Sequence, residues 1–424
     1  MPAGPGGLVV TVKEPLVGRC GIRYKIRMVN LSCCSIRWAF ILIAGALVLP
    51  VHSFAETTPE EVRSIRARAE SPETDLRAKA ELAVMYLTGK DVPQDTAMAV
   101  KWFREIDAWT DANQEKLMGY VPKGTGEIRF TLGKIYASGD ARVPKDLVEA
   151  EKWYRKAAEL GHPGAQFALG MIYDYKDGAE AVKWLRKAAE QGHDMAQLHL
   201  GLHYNRGSGV AEDGAEGARW VRKAAEQGNS RAMSVLSSHY YLGSGVPKDD
   251  AEGARWQKLA AENGDGWIQI EYAKSLLAGY RMPKNEAEGI MWLKRAAAND
   301  RKHGGMTAQA RLGFLYLNGY QNVDKDEVQA VRWLRMAADQ GDHSSQRALG
   351  ECYLSGTGVK RDEVEAYAWL RQAAIKVPGF APMGDFKAHE LIAGLDKSLP
   401  SEMKKLGEVR AEALKLELTN KAGK

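Results

Sequence analysis

The phrase EAEKWYRKAAELGH at residues 149–162 decides the fold, because close copies of it recur along the chain. Three of these copies are EAVKWLRKAAEQGH (180–193), EGARWVRKAAEQGN (216–229) and QAVRWLRMAADQGD (329–342). Successive copies are separated by 51, 31, 36, 36, 36, 41 and 36 residues, as marked by Trp102, Trp153, Trp184, Trp220, Trp256, Trp292, Trp333 and Trp369. A repeat of about 36 residues is typical of a solenoid, in which similar units stack on one another.

A second phrase precedes the tryptophan phrase. It reads LGKIY (132–136), LGMIY (169–173), LGLHY (200–204), LGFLY (312–316) and LGECY (349–353). In the third of these copies, Ala196, Leu200 and Tyr204 fall on one face of a helix, which indicates burial. Turns such as GSGVPKDD (243–250) supply glycines for a sharp bend and aspartates that can cap the next helix. Each unit therefore predicts a helix, a tight turn and a second helix.

A single pair of helices cannot bury its apolar face alone, so the units must stack. The sequence predicts an all-α solenoid of about eight helix-turn-helix repeats over residues 80–376. We expect an N-terminal capping or linker helix at 56–79. Capping helices are expected at 377–424, where the stretch from about Lys387 to Leu418 has helical spacing but no tryptophan phrase.

The first 55 residues have the pattern of a leader. WAFILIAGALVLPV (38–51) is an apolar run of 14 residues, shorter than the roughly 20 that an ordinary transmembrane helix needs. Arg37 precedes the run and Ser53-Phe54-Ala55 follows it, which indicates a secretory signal peptide. We expect cleavage after Ala55, a periplasmic or secreted protein, and no membrane insertion of the cleaved chain. An uncleaved anchor is the alternative, and Met28 is an alternative start of translation.

The composition, with 45% hydrophobic and 27% charged residues, is that of a globular protein. The net charge of +5 comes from the leader, which holds six of the 59 basic residues and one of the 54 acidic ones and leaves 53 of each in residues 56–424. A nucleic-acid binder needs a basic surface to displace counterions from phosphates. The balanced body therefore excludes nucleic acid as the expected partner.

No motif of a known active site is present. GxxxxGK[ST], GxSxG, HExxH and CxxC do not occur, so we expect neither an enzyme nor a cofactor. Cys352 is the only cysteine beyond the leader, and burial as a small apolar residue is favoured over a reactive thiol. His199, His203 and His239 are candidate metal ligands by their spacing of four residues and one repeat. No carboxylate is placed as an obvious fourth ligand, which favours structural histidines and no metal.

These units resemble Sel1-like repeats, a subfamily of the tetratricopeptide-like repeats, through their LGxxY, GxGV and WxxKAAxxG signatures over about 80–376. The resemblance implies a right-handed superhelix whose first helices line a concave face. It also implies an adaptor or scaffold, and many members are bacterial and exported. A cysteine-rich branch, some of whose members have been assigned β-lactamase-like activity, pairs two cysteines per repeat. This chain lacks those cysteines.

The resemblance also implies a groove for a partner. In tetratricopeptide-like units, the first-helix positions two and five residues before and after the signature Leu face the concave side. Trp267 is notable there, because it lies outside the tryptophan phrase and has no evident role in the repeat core. The groove residues implied by this offset are Phe130, Phe167, Met171, Met195, Leu198, Leu202, Tyr241, Trp267, Ile270, Leu277, Phe314 and Leu317.

Three functions are compatible with these observations. The leading one is an exported scaffold that binds a peptide or protein partner in the groove. The second is a hydrolase of cell-wall or β-lactam substrates, which would need a polar pocket with a nucleophile and a base. The third is a structural spacer in an envelope assembly, with a groove filled by its own side chains. The sequence leaves the partner, the pathway and the oligomeric state open.

Overall fold

The computed structural model describes residues 57–71, 75–113, 124–299, 304–320, 323–375 and 386–422. These residues form nineteen helices and no β-strand, apart from one isolated bridge between Tyr320 and Val323. The prediction of an all-α solenoid is therefore confirmed. The leader, with the expected cleavage site at Ala55, lies outside the described residues. No helix in the described ranges is both long enough and apolar enough to cross a membrane.

The helices follow one another with short connections. In chain order they are α1 Pro59–Glu70, α2 Leu76–Thr88, α3 Thr96–Ala112, α4 Thr125–Ser138, α5 Leu147–Glu159, α6 Pro163–Tyr173, α7 Gly178–Glu190, α8 Asp194–Arg206, α9 Gly214–Glu226, α10 Ser230–Leu242, α11 Asp250–Asn263, α12 Gly266–Ala278, α13 Glu286–Ala297, α14 Gly305–Asn318, α15 Glu327–Asp339, α16 His343–Ser355, α17 Glu363–Ala373, α18 Phe386–Ser398 and α19 Ser401–Ala422. From α2 to α17, even numbers are the first helices of the eight repeats and odd numbers are the second helices.

Each second helix begins at a capping side chain, as the sequence predicts. An Asp or Asn side chain accepts a hydrogen bond from a backbone N–H of the first turn, which satisfies a group that the helix itself leaves unpaired. The eight capping residues are Asp95, Asp146, Asp177, Asp213, Asp249, Asn285, Asp326 and Asp362. The Asp or Asn residue at the end of each turn phrase therefore fixes where the second helix begins.

Two histidines cap first helices. Nδ1 of His162 accepts from the backbone N–H of Ala165, and Nδ1 of His193 accepts from that of Ala196, both at 3.2 Å. Asn229 has the same role at the start of α10. The histidines at these repeat junctions are thus structural, because their ring nitrogens replace the usual capping oxygen.

The core consists of residues from both signature phrases. The signature leucines of the first helices are fully buried: Leu132, Leu169, Leu200, Leu236, Leu312 and Leu349. Among the phrase tryptophans, Trp220, Trp256 and Trp333 are half-buried, whereas the other five are buried. The second helices bury their paired alanines, which lets neighbouring helices approach closely.

A row of buried glutamines joins the repeats, and the sequence analysis did not identify it. Nε2 of Gln197 donates to the carbonyl oxygen of Ala189 in the preceding second helix, at 3.1 Å. Oε1 of Gln197 accepts from Nε2 of Gln227 at 2.6 Å. The same donation to a preceding second helix is made by Gln166, Gln269, Gln309 and Gln346. Each of these first helices is therefore fixed to the second helix before it by a buried hydrogen bond.

The last helix packs on the last repeat. In α19, Leu414 and Ala411 are buried in a cluster with Leu349 and Trp369. Nε2 of Gln372 on α17 donates to the carbonyl oxygen of Ala411 at 2.7 Å. One face of α19 thus covers the apolar surface that the eighth repeat would otherwise expose.

Candidate binding surface

All twelve residues predicted to line a groove lie on first helices, but their exposure differs. Leu198, Tyr241 and Ile270 are only 4%, 6% and 1% exposed, so little of these side chains is left for a partner to contact. Trp267 is 48% exposed. The remaining eight are half-buried: Phe130, Phe167, Met171, Met195, Leu202, Leu277, Phe314 and Leu317.

Aromatic side chains of the N-terminal repeats pack against residues of neighbouring repeats. Phe130 stacks on His162, with ring centroids 4.5 Å apart. Phe167 stacks on His193 at 4.9 Å and lies 5.6 Å from His199. In this part of the chain, the first helices therefore use their aromatic residues to hold one another.

An open cleft of about 410 Å³ lies around Trp267, where the fifth and sixth repeats meet. Side chains of α10, α11 and α12 and of the turn after α12 form its walls. We call it the Trp267 cleft. Its lining residues are Ser234, Ser237, Ser238, Tyr241, Gln257, Trp267, Ile268, Glu271, Ser275, Tyr280 and Arg281.

Beside the cleft, an arginine replaces a glycine of the repeat. In the regular turns, Gly209 and Gly245 have φ of 69°, and a Cβ on them would lie within 2.0 Å and 1.8 Å of the backbone of the preceding repeat. Arg281 occupies this turn position with φ of 61°. Because Arg281 has a Cβ, its turn cannot approach α11 as closely as a glycine turn would.

The junction between α11 and α12 is irregular as well. Gly264 has φ of −94°, whereas the matching Gly192 and Gly228 have φ of 88° and 94°. After this extended residue, Asp265 caps α12 by accepting from the backbone N–H of Trp267 at 3.1 Å. The altered junction keeps the register of the repeat, with Trp267 at the second position of α12 as Met195 is in α8.

The cleft combines aromatic surfaces with a cation. The guanidinium of Arg281 lies 5.1 Å from the ring centroid of Tyr241 and 4.8 Å from that of Tyr280. No carboxylate of the described residues forms an ion pair with Arg281, and Glu271 in the cleft is paired with Lys274 at 2.9 Å. Burial raises the pKa of Tyr241, against the opposing charge of Arg281. An unneutralised guanidinium beside aromatic rings suits a carboxylate that is joined to an apolar group.

The four serine hydroxyl groups of the cleft are engaged in hydrogen bonds of the fold. Oγ of Ser237 donates to the carbonyl oxygen of Gly253 at 2.7 Å, and Oγ of Ser275 donates to that of Glu271 at 3.2 Å. No histidine lines the cleft. The lining residues therefore do not form the nucleophile and base pair that a hydrolase pocket would need.

The three candidate metal ligands, His199, His203 and His239, have different surroundings. Nε2 of His203 lies 3.1 Å from Asp174, and its Nδ1 lies 2.8 Å from a backbone carbonyl oxygen. Nε2 of His239 lies 2.9 Å from the side-chain nitrogen of Asn205. Burial lowers the pKa of both His199 and His239. Across the described ranges, no group of three or more His, Cys, Asp or Glu residues is placed to hold a metal ion.

Cys352 is buried and free, and burial raises its pKa to about 11. The thiol is therefore protonated near neutral pH, as expected for a small apolar core residue.

Arg281 is among the cleft residues that the sequence analysis missed. Its signal is present in the sequence, because GYRM at 279–282 stands where other copies read GSGV or GTGV.

The sequence matches the model of the Sel1 repeat eight times, at residues 76–105, 130–162, 163–193, 194–229, 230–265, 269–300, 307–342 and 343–376. Trp267 lies in the short gap between the fifth and sixth matches. A Sel1 repeat protein from Oxalobacter formigenes with a solved structure is 27% identical, and the similarity covers 83% of this chain and 100% of that one with a TM-score of 0.57.

A second solved structure is that of a protective antigen present in uropathogenic Escherichia coli strains, which displays an SLR fold. It is 25% identical, covers 91% of this chain and 93% of its own, and has a TM-score of 0.48. No curated protein is similar to the chain at a significant level.

Proposed function

Because the chain belongs to the Sel1 repeat family, whose members generally mediate protein–protein interactions, we propose that it is a scaffold that binds a protein partner through the Trp267 cleft. The observation that carries this proposal is the pairing of a half-exposed Trp267 with the unneutralised cation of Arg281 across one cleft. Trp and Arg are the residues that most often dominate the energy of protein interfaces.

The position of the cleft on the first helices supports a partner laid along them. Successive first helices contact one another directly, as α10 contacts α12 and α12 contacts α14. This close approach supports the expectation that first helices form the inner, concave side of the array. A segment bound across α10 and α12 would therefore meet the cleft from that side.

The chemistry of the cleft suggests the kind of segment that it binds. An apolar side chain can pack on the exposed face of Trp267, while a carboxylate a few residues away reaches the guanidinium of Arg281. An extended peptide fits this role, because its main chain can follow the first helices while its side chains enter the cleft. The proposed partner thus presents an acidic residue close to an aliphatic or aromatic one.

Export is the second part of the proposal. It is supported by the short apolar run of residues 38–51 and the following Ser53-Phe54-Ala55. The scaffold would then act in the periplasm or outside the cell. N-terminal sequencing of the protein from its native host tests this, with Glu56 expected as the first residue. Retention of Trp38 in the exported protein would contradict cleavage.

A selection from a random peptide library displayed on phage tests the binding site. The purified protein is expected to enrich peptides in which an acidic residue lies near an aromatic or aliphatic one. Synthetic peptides from the selection are then measured by fluorescence polarisation against the wild type and against variants of the cleft. Trp267→Ala and Arg281→Ala should each weaken binding by about tenfold or more.

Met291→Ala is the matched control, because Met291 is exposed on the second helix α13, away from the cleft. This variant should bind like the wild type. Enriched peptides whose affinity is unchanged by both cleft substitutions would contradict the assignment of the site. A library that yields no enrichment with a folded protein would contradict peptide binding itself.

A further inference from the structure

The Trp267 cleft is elongated and follows two neighbouring first helices. On α10, both Ser234 and Tyr241 line it, although they are seven residues, or about two helical turns, apart. On α12, its lining residues Trp267, Glu271 and Ser275 follow one another at intervals of four. Residues at these intervals lie on one side of a helix. The cleft therefore runs parallel to the two helices rather than across them.

Two serines keep the cleft open between these helices. Ser234 and Ser238 lie two residues before and two residues after Leu236, the signature leucine of α10. The matching positions in α6 hold the larger side chains of Phe167 and Met171. The two hydroxyl groups donate to backbone carbonyl oxygens of their own helix at 3.1 and 3.2 Å, so they need no outside partner. The cleft is thus space that α6 fills with its own side chains.

A chain of hydrogen bonds closes the floor of the cleft. Oη of Tyr241 donates to Oε1 of Gln257 on α11 at 3.0 Å, and Nε2 of Gln257 donates to Oγ of Ser275 on α12 at 2.9 Å. The ring of Tyr241 in turn packs on the guanidinium of Arg281. The cation is therefore fixed at one end of the cleft, and Trp267 lies at the other end.

We propose, on the basis of the function proposed above, that the partner segment lies along this cleft in an extended conformation. An apolar side chain of the segment packs on Trp267, and a carboxylate four or five residues away binds Arg281. The cleft then selects its partner by the spacing of these two groups as well as by their chemistry. Charge complementarity supports this occupant, because Arg281 has no carboxylate partner among the described residues.

The length of the cleft determines the spacing. Trp267 lies five residues before Tyr272, which stands at the position of the signature leucine in α12, and Tyr241 lies five residues after Leu236 in α10. The two ends of the cleft are thus ten helical residues apart, or about 15 Å. An extended chain rises about 3.3 Å per residue, so four or five residues cover this length. A helical segment would need about ten residues between the same two groups.

The charge in the middle of the cleft opposes a shorter spacing. Glu271 is one helical turn after Trp267, and its side chain is 65% exposed although it is paired with Lys274. A carboxylate directly beside the apolar group of the partner would lie near Glu271, where like charges repel. The attraction of Arg281 acts at the far end. Both charges therefore favour an acidic residue that is well separated from the apolar one.

A series of synthetic peptides tests the spacing. The parent is a fluorescein-labelled peptide from the display selection, in which the acidic residue is moved to each position from one to ten residues away from the apolar one, on either side. Fluorescence polarisation should show the highest affinity at a spacing of four or five, and an affinity about tenfold lower at a spacing of two. A maximum at a shorter or longer spacing would overturn the extended arrangement.

The same series separates this arrangement from the function on which it rests. Peptides that depend on Trp267 and Arg281 but bind best at a spacing of one, two or ten would leave the proposed site in place and overturn only the extended segment. A selection that yields no peptide would overturn both.

Filling the cleft tests where the segment lies. Ser238→Leu should weaken binding of the parent peptide by about tenfold or more, since the added side chain occupies the cleft. The melting temperature should not change, because Leu202 stands at the matching position of α8. Ser238→Ala removes only the hydroxyl group and should bind like the wild type. Ser64→Leu, at an exposed position of α1, is the control for an added leucine. A folded Ser238→Leu variant with unchanged affinity would overturn the proposal.

Discussion

The guanidinium of Arg281 lies 5.1 Å from the ring centroid of Tyr241, although the two residues belong to different repeats. Arg281 follows the first helix of the sixth repeat, and Tyr241 is on the first helix of the fifth. In regular turns, a glycine backbone makes the contact between neighbouring repeats. Here a side chain that packs on Tyr241 lies beside an open cleft instead, so the arginine that replaces the glycine places a cation in the candidate site.

Arg281→Gly separates stability from binding. A non-glycine residue at positive φ costs about 1 kcal/mol or more, and glycine relieves that cost. We therefore expect the melting temperature of Arg281→Gly to equal or exceed that of the wild type. Binding of acidic peptides should nevertheless be lost. Thermal unfolding by circular dichroism and fluorescence polarisation measure the two effects, and a marked fall in melting temperature would mean that Arg281 supports the fold.

Trp267→Ala should affect binding but not stability. The ring is half-exposed, and its loss leaves no large internal cavity. We expect a melting temperature within a few degrees of the wild type and a loss of about 2 kcal/mol in peptide binding. A calorimetric titration with a selected peptide checks the second value. Unfolding of this variant at moderate temperature would show that Trp267 belongs to the core.

Trp256→Ala is the matched contrast. Trp256 is half-buried and packs on a cluster that contains Val221 and Leu236. Truncating a buried aromatic residue costs about 3–5 kcal/mol, and partial burial places this site near the lower end. We expect a clear fall in the midpoint of chemical unfolding, with peptide affinity lost only where the protein unfolds. An unchanged midpoint would contradict a core role for Trp256.

Gln197→Met tests the buried glutamine row. The substitution preserves the volume of the side chain but removes two hydrogen bonds, one to the carbonyl oxygen of Ala189 and one from the amide of Gln227. The Ala189 carbonyl keeps the backbone N–H of Gly192 as a donor and Gln227 is exposed, so the expected cost is that of the two lost hydrogen bonds, about 1–3 kcal/mol together. The free energy of unfolding should fall by an amount in this range. Gln191 is exposed and donates to Oε1 of the buried Gln166 at 2.7 Å, so Gln191→Met should have a smaller effect.

His193→Asn should reduce the sensitivity of the fold to mild acid. Burial lowers the pKa of His193, against the opposing charge of Asp194, so folding favours the neutral ring. The neutral ring of His193 contributes fully to the free energy of unfolding above the unfolded pKa of about 6.5. This contribution is lost as the pH falls through the pKa of the folded state. Asn keeps the cap without titrating, as Asn229 does. The fall in melting temperature between about pH 7.5 and pH 5.5 should therefore be smaller in the variant, and an identical fall would contradict this role.

The sequence predicted the fold because the information is local and repeated. Eight tryptophan phrases in register, each preceded by a capping aspartate or asparagine, determine where the second helices begin and which faces they bury. It also identified Trp267 as unusual, since that residue lies outside the repeated phrase. The exposure of the other candidates could not be predicted in the same way. Leu198 and Ile270 are covered by neighbouring repeats, and that depends on how closely adjacent helices pack.

By itself, then, the sequence determined the repeat, the helix boundaries and the apolar faces, because each depends on residues close together in the chain. Only the tertiary structure decided that an open cleft lies beside Arg281, that buried glutamines join neighbouring helices, and that α19 keeps a second apolar face exposed. These features depend on distances between repeats. A Cβ at one turn and a carbonyl oxygen about 30 residues away act on each other only when the array is assembled.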